Sequence, residues 1–233
     1  MIELFHQNNG TPGYRMIRDL LADRGISYCD ATVHKYMKEL GLRSITRRRK
    51  PNYKKGTANQ TFPNLLNQNF KTEHPNQVWC TDFTYLHLSN GDVHYNCTII
   101  DLYDRSVIAS VNGNHITAEL AIKALKTGIE RHKPGKGLIL HSDQGSQYTS
   151  KEFNDFCEKS FIQQSMSRAG CPYDNAPMER YYNTLKTEYI NLFSYKTIRE
   201  LDDAVNYFAY VKYNHGRPHR YNNGKTPSAA RAA

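Results

Sequence analysis

Three carboxylates in this sequence stand where a carboxylate is out of place. Asp82 lies in the middle of the β-rich run NQVWCTDFTYLHL, between Trp79 and Tyr85. Aspartate is depleted in strand interiors because its side chain competes for backbone hydrogen bonds and desolvates badly. Asp143 follows the apolar run Leu138-Ile139-Leu140, at the C-terminal end of a strand, where α/β sheets commonly bind ligands. Glu179 opens a helical stretch after the Gly- and Pro-bearing loop RAGCPYDNAP. Brought together, such acids repel one another unless cations bind or some are protonated. All-oxygen ligation favours Mg2+ or Mn2+ over zinc. Two such ions about 3.5–4 Å apart activate a nucleophile and stabilise the leaving oxygen of a phosphodiester. Asp101, Asp104 and Asp174 carry the same charge and remain candidates on that ground. Any one acid taken singly is better explained by a structural role than by a catalytic one, and Asp174 is placed to cap the helix that follows it.

The elements that must position these acids can be read from periodicity. The run around Asp82 is one strand. DVHYNCTIIDLYDRSVIASVNGN reads as two more, with a turn at Asp104-Arg105. TAELAIKALKTGIERH is helical with Thr117 as N-cap, GLILHSDQG is a short strand ending near Gly145, and SKEFNDFCEKS is a helix. FIQQSMS suits a strand; a helix from about Ala176 and another over TIRELDDAVNYFAYVKYN complete a mixed α/β domain. In the helix bearing Glu179, the residues Met178, Tyr181, Leu185, Tyr189 and Leu192 form an apolar stripe. Lys186 follows Glu179 by seven residues, within about 20° around the helix and roughly 10 Å along it.

Ahead of this domain, GYRMIRDLLADRGI places Ile17, Leu20 and Leu21 on one helical face, and CDATVHKYMKELGL repeats Val33, Tyr36, Met37 and Leu40 at helical spacing. Asp30 serves as N-cap and Gly41 as C-terminal cap of the second helix. Two short helices and a tight turn read as a helix-turn-helix over residues 1–44, with His34, Lys35 and Lys38 off the apolar stripe and available to DNA. A linker over residues 45–73 follows. Arg47, Arg48, Arg49, Lys50, Lys54 and Lys55 crowd its first part, and Pro51, Gly56 and Pro63 interrupt any helix. Residues 1–76 carry 13 Lys and Arg against 6 Asp and Glu, whereas residues 77–233 carry 18 against 16. Positive charge gathered at one end points to a polyanion, above all nucleic acid, held through salt-sensitive phosphate contacts.

The remaining signals exclude more than they propose. Five cysteines, an odd count without a CxxC pair, argue against a disulfide framework and against a zinc site. His215 and His219 are four apart, but Pro218 breaks the helix a metal pair would need. No apolar run is long enough for a membrane span and the N-terminus lacks the pattern of a signal peptide, so a cytosolic protein with free thiols is expected. His141 either touches substrate or packs, Tyr181 and Tyr182 pack, and Gly145 relieves a tight turn.

Sixty residues lie between Asp82 and Asp143, and 35 between Asp143 and Glu179. With VWCTDFTYL, LHSDQGSQYTS, SMSRAGCPYDNAPMERYYNTLKTE and the C-terminal YNHGRPHRYNNGKTPSAA, the chain resembles the DDE transposases and retroviral-type integrases, and among them bacterial insertion-sequence transposases. The resemblance covers nearly the whole chain, the N-terminal helices included. It implies an RNase H-like fold, a mixed five-stranded sheet flanked by helices over residues 74–233. It implies that Asp82, Asp143 and Glu179 are the catalytic, metal-holding acids, with Mg2+ as cofactor and Mn2+ as substitute, and that Lys186 contacts DNA. The implied activity is cleavage and strand transfer of DNA by a homo-oligomer on transposon terminal repeats and target DNA, in the bacterial cytoplasm beside the nucleoid. Relatives of this group carry more sequence before the helix-turn-helix, so the resemblance implies either the downstream frame of a two-frame element, with an upstream-frame product as a further partner, or a truncated copy. An RNase H-like nuclease that cuts without joining, and a non-catalytic DNA-binding remnant that represses transposition, are the competing readings.

Overall fold

The computed structural model describes residues 1–45 and 60–233. The alternating runs form five strands: β1 (Val78–His87), β2 (Val93–Asp101), β3 (Val107–Gly113), β4 (Ile139–Ser142) and β5 (Gln163–Met166). They make one mixed sheet in the order β3-β2-β1-β4-β5. β1, β2 and β3 are antiparallel neighbours; β1–β4 and β4–β5 are parallel. This is the mixed five-stranded sheet flanked by helices expected above, and the tight turn between β2 and β3 falls at Arg105, with φ of 64°.

Parallel strands need crossovers, and helices supply them. Between β3 and β4 runs α4 (Ala118–His132), capped by Thr117, whose side chain accepts from the Leu120 amide at 3.2 Å; between β4 and β5 runs α5 (Lys151–Lys159), capped in the same way by Ser150. These two cover one face through a core that includes Trp79, Leu125, Leu140 and Phe153. Gly128 lets α4 approach, since a Cβ there would stand 3.0 Å from Ile108 and 3.1 Å from Trp79. On the other face lie α6 (Ala176–Glu188) and α7 (Ile198–Asn206), over a core that includes Cys80, Leu86, Ile100, Met178, Leu185 and Phe208.

α7 opens with a capping box between Thr197 and Glu200 and continues as a π-helix, Tyr207–Gly216. That segment closes the sheet edge. The Asn214 amide accepts from the Val107 amide at 2.8 Å and donates to its carbonyl at 3.0 Å; the Tyr210 hydroxyl meets the Ser110 amide at 2.8 Å. Covering an unpaired edge removes a template for aggregation. The helix bearing Glu179 is shorter than the apolar stripe suggested. It ends at Glu188, the backbone turns at Tyr189 (φ −146°), and Leu192 falls in a 3-10 turn.

The N-terminal region holds three helices: α1 (Ile2–Gln7), which periodicity did not reveal, α2 (Tyr14–Ala22) and α3 (Asp30–Glu39). Leu4, Phe5, Ile17, Leu21, Val33 and Met37 form its core. Tyr36 and Leu40 face outward, so the buried stripe of α3 is narrower than expected. Asp30 is not the N-cap; it is the first helical residue and pairs with Arg18 and Arg15 instead. Gly41 (φ +68°) does end the helix, with its amide on Lys38 O and the Leu42 amide on Met37 O, the bond pattern of a Schellman turn. Residues 60–73 lie along the sheet domain: Leu66 is in the core beside α6, Phe62 and Phe70 pack at its margins, and the Met166 amide donates to Pro63 O. No helix among the described residues is long and apolar enough to cross a membrane.

The last helix, α8 (Pro227–Arg231), locks the β2–β3 turn. Arg231 Nε donates to Asp104 Oδ2 at 2.6 Å, Nη2 to Asp101 Oδ2, and Nη1 to His132 Nδ1 at 3.0 Å. Both carboxylates are fully buried, and burial raises the Asp101 pKa against the pull of its hydrogen bonds and Arg231. Removing one partner of such a cluster strands buried charge. Arg231→Ala is expected to lower the unfolding free energy by about 3–5 kcal/mol, read from urea denaturation; a change under 1 kcal/mol would show the cluster to be dispensable.

Candidate active site

Asp101 and Asp104, candidates by charge, are thus held by Arg231. Asp174 is a structural hub and does not cap α6. Its side chain accepts from Asn64 Nδ2, Gln68 Nε2 and the Arg168 backbone and guanidinium at 2.8–3.1 Å. The Arg168 and Gln68 hydrogen bonds, in that order, hold its pKa far below the usual aspartate value. His141 packs: its ring is fully buried. The Asp174 carbonyl, 2.9 Å from Nε2, can only accept, so Nε2 carries the proton and Nδ1 accepts from Ser165 Oγ at 2.8 Å. Burial lowers the His141 pKa and keeps it neutral. Together these bonds fix the loop from which α6 departs.

Asp82 lies within β1, Asp143 directly after the end of β4, and Glu179 in the first turn of α6. β1 and β4 are in parallel register, with Cys80 opposite His141; two residues further, that register sets Asp82 beside Asp143. Side chains alternate along a strand. Asp82 therefore shares the side of Cys80, which is the side packed against α6; Asp143 is the first residue past the strand. β4 ends at Ser142, so β1 loses a neighbour here and its burial falls from complete at Cys80 to partial at Asp82. Asp82 Oδ1 accepts from the Phe83 amide and Asp143 Oδ1 from the Gly145 amide, each at 2.8 Å. The end of the Gln147 side chain packs over Gly145, where it would have to swing aside for a Cβ. Glu179 is exposed in the first turn of α6, where its charge also suits the helix dipole.

Two buried tyrosines tie these segments to adjacent residues of β1. Tyr182, one turn after Glu179, gives its hydroxyl proton to the Asp82 carbonyl at 2.6 Å and accepts from the Thr98 amide at 2.9 Å. It thus stands between β1 and β2 where Asp82 pairs with Thr98. Tyr148, in the loop after Asp143, reaches Thr81 Oγ1 at 3.0 Å from the opposite face; Thr81 donates to the Thr98 carbonyl, so the tyrosine donates to Thr81. Burial pushes both phenols well above their ordinary pKa and keeps them protonated. Asn175, four residues before Glu179, donates to the Thr81 carbonyl at 3.4 Å. Asn175, the N-cap of α6, and Tyr182, in its second turn, thus hold β1 at Thr81 and Asp82. Among the described residues, no three His, Cys, Asp or Glu side chains converge closely enough to hold a metal ion as they stand. His215 and His219 form no such group either: His215 meets Ser228, and His219 is buried edge-on to Tyr213.

Lys186 lies with its ammonium 4.5 Å from the centre of the Tyr85 ring, three residues beyond Asp82 on β1. His34, Lys35 and Lys38 are exposed on α3. His34 stacks edge-on to Tyr14 and Lys35 approaches Glu39 at 3.9 Å. Arg47, Arg48, Arg49, Lys50, Lys54 and Lys55 fall outside the described residues. Sequence reasoning passed over Asn175 and took Tyr182 for packing alone; neither residue type is unusual in a helix or its approach, so no local signal marks them.

Known proteins fit this arrangement. Residues 1–50 match the HTH-like domain family, and residues 72–172 and 160–227 match two families described as Integrase core domain. The chain is 35% identical over 225 residues to the transposase for insertion sequence element IS904 of Lactococcus lactis, covering 96% of this chain and 88% of that one. The chain belongs to the insertion-sequence transposases. It is also 32% identical over 230 residues to the transposase InsF for insertion sequence IS3A of Escherichia coli, covering 97% and 79%. Among solved structures, the HTLV-2 integrase catalytic core domain in complex with magnesium superposes with a TM-score of 0.54 at 21% identity, over 68% of this chain and 97% of that one. The simian T-cell lymphotropic virus intasome superposes with 0.58 at 18%, over 93% and 74%. At these identities the likeness is one of fold, the RNase H-like fold of integrase cores.

Because the Tyr182 hydroxyl serves two strands at once, Tyr182→Phe leaves a buried amide short of its acceptor. It is expected to cost about 1–3 kcal/mol of unfolding free energy and to speed hydrogen exchange at Thr98. Unchanged exchange there would mean that β1 and β2 close without the hydroxyl.

Proposed function

We propose that this transposase cuts DNA at the ends of an insertion sequence and joins the freed ends to target DNA, with Asp82, Asp143 and Glu179 as its catalytic acids. One observation supports the reading: the segments that bear the three acids, distant in sequence, are tied at Thr81 and Asp82 by Tyr148, Asn175 and Tyr182. The donor set suits Mg2+, or Mn2+ in its place, because it is made of hard carboxylate oxygens. Asp82, Asp143 and Glu179 would hold the ion, whose charge would offset their mutual repulsion. Bound by these acids, the cation supplies Lewis acidity to the scissile phosphodiester.

The reaction has two displacements. Water attacks the phosphorus at the element's end; the bond to the 3′ oxygen breaks, leaving a 3′-hydroxyl and a 5′-phosphate. The 3′-hydroxyl then attacks a target phosphodiester, a new P–O bond forms, and the target's own 3′ oxygen departs as a hydroxyl, taking up a proton equivalent to the one that the attacking hydroxyl loses. The protein orients the reacting groups: α6 and β1 cannot slide past one another while Tyr182 is bonded to Asp82. Lys186 contacts a backbone phosphate close to the cut as a point charge. The helices of residues 1–44 and the basic stretch of residues 45–73, with His34, Lys35, Lys38, Arg47, Arg48, Arg49 and Lys50, hold DNA for the catalytic domain of residues 74–233. Strand transfer of paired ends calls for more than one copy on the DNA.

Labelled element-end duplex incubated with the full chain and Mg2+ is expected to give both nicked and joined products. Asp82→Asn, Asp143→Asn and Glu179→Gln are each expected to reduce both products to background while end binding measured without metal is unchanged. Full activity in any one of them removes that residue from the site. Lys186→Ala is expected to raise the DNA concentration needed for half-maximal cleavage without altering the Mg2+ dependence, and Lys186→Arg to restore part of the loss; a wild-type DNA dependence in Lys186→Ala returns this lysine to a solvated role.

A further inference from the structure

A second basic feature lies between α2 and the flank of α6, away from the acids. It is a groove of about 550 Å3 lined by Arg15, Arg105, Arg180, Arg217, Arg220 and His219, among others, with Asp19 as its one carboxylate. Arg18 neutralises Asp19, and Arg217 spends its charge on the buried Glu188, in two hydrogen bonds of 2.7 Å. Arg15, Arg180 and Arg220 are exposed at the rim.

The groove wall is rigid. His219 receives the Gly224 amide on its carbonyl, its own amide donates to Lys225 O, and Asn222 Nδ2 donates to the Asp104 carbonyl at 2.8 Å. A Cβ at Gly224 would lie 3.6 Å from the Asp19 carboxylate, so α2 is seated directly on this turn. The Arg105 guanidinium stacks over the Tyr221 ring at 4.0 Å and donates to Phe70 O at 3.0 Å. Two nitrogens of the wall, Arg105 Nη1 and His219 Nε2, are buried without a hydrogen-bond partner among the described residues. His219 is itself 8% exposed. Exposed guanidinium groups at the rim, beside the exposed Tyr221 ring, suit phosphate oxygens and sugars far better than an apolar ligand.

We propose that this groove is a phosphodiester track: a DNA backbone lies in it, spanning from the N-terminal helices to the flank of α6, as a binding site separate from the acids. The proposal rests on the reading that the substrate is DNA. The groove face of α6, marked by Arg180, lies about 100° around the helix from Glu179. A strand in the track therefore runs beside the helix that carries the acid, and holds both parts of the chain on one duplex.

The test is the salt dependence of duplex binding by the full chain in EDTA, where no cleavage occurs. Arg180→Gln and Arg220→Gln are each expected to reduce the slope of log K against log salt by about 1, and the pair by about 2. Arg180→Lys should keep the slope, because a phosphate contact needs charge alone. Lys159→Gln, an exposed cation on α5, should leave it unchanged. Wild-type slopes in both glutamine variants, or an equal fall in Lys159→Gln, overturn the track. Cleavage by the wild-type chain is scored separately with Mg2+: no cleavage with an intact arginine effect would refute the catalytic reading and leave the track standing.

Discussion

Two tyrosine hydroxyls on opposite faces of β1 hold the candidate site together. Tyr182 reaches the Asp82 carbonyl from the α6 side and Tyr148 reaches the Thr81 side chain from the α5 side. Each comes from a segment that carries an acid, Glu179 in one case and Asp143 in the other. Buried hydroxyls of this kind are costly when unmet and directional when met. They convert two independent packings, a helix on a sheet and a loop on a sheet, into one fixed relation among three backbone positions. The loop into α6 is fixed in turn by Asp174, with its partners Arg168, Asn64 and Gln68, so the start of the helix is held from both sides.

The same region shows why an aspartate is tolerated within β1. β4 contributes only four residues and leaves the sheet notched beside Asp82, so the carboxylate is half buried rather than enclosed. Its Oδ1 meets the next backbone amide, and its carbonyl is served by Tyr182. A fully paired strand at this position would have to desolvate the charge without compensation. The notch and the acid therefore suit one another, and the notch lies at the carboxyl end of β4, where an α/β sheet is open to ligand.

Much of this was legible in the sequence because it depends on local rules. Thr117 caps a helix, Asp104-Arg105 turns a hairpin, Gly41 ends α3, and the alternation through β1 to β3 marks three strands. What the sequence hid depends on partners far along the chain. Asp30 has the chemistry of a cap but is taken by Arg18 and Arg15. Tyr36 and Leu40 continue the stripe of α3, yet the small three-helix core closes over Val33 and Met37 alone. Leu66 sits in a polar stretch and is buried by contacts made from the sheet domain. The π-helix after α7 has no periodic signature of its own; Asn214 and Tyr210 hold it against the edge of β3. The three acids were visible as misplaced carboxylates, whereas Asn175 and Tyr182, which set the distance between two of them, look like ordinary helix residues.

The central claim is that residues 82, 143 and 179 surround one cation site. Loading the full chain with Fe2+ in place of Mg2+, then adding ascorbate and peroxide, releases radicals that cut the backbone only close to the bound ion. Fragment mapping is predicted to give three clusters of cuts, near Asp82, near Asp143 and near Glu179, all suppressed together by excess Mg2+ and all lost in Asp82→Asn. Cuts at one segment alone, or cuts at all three that survive Asp82→Asn, would contradict a shared site.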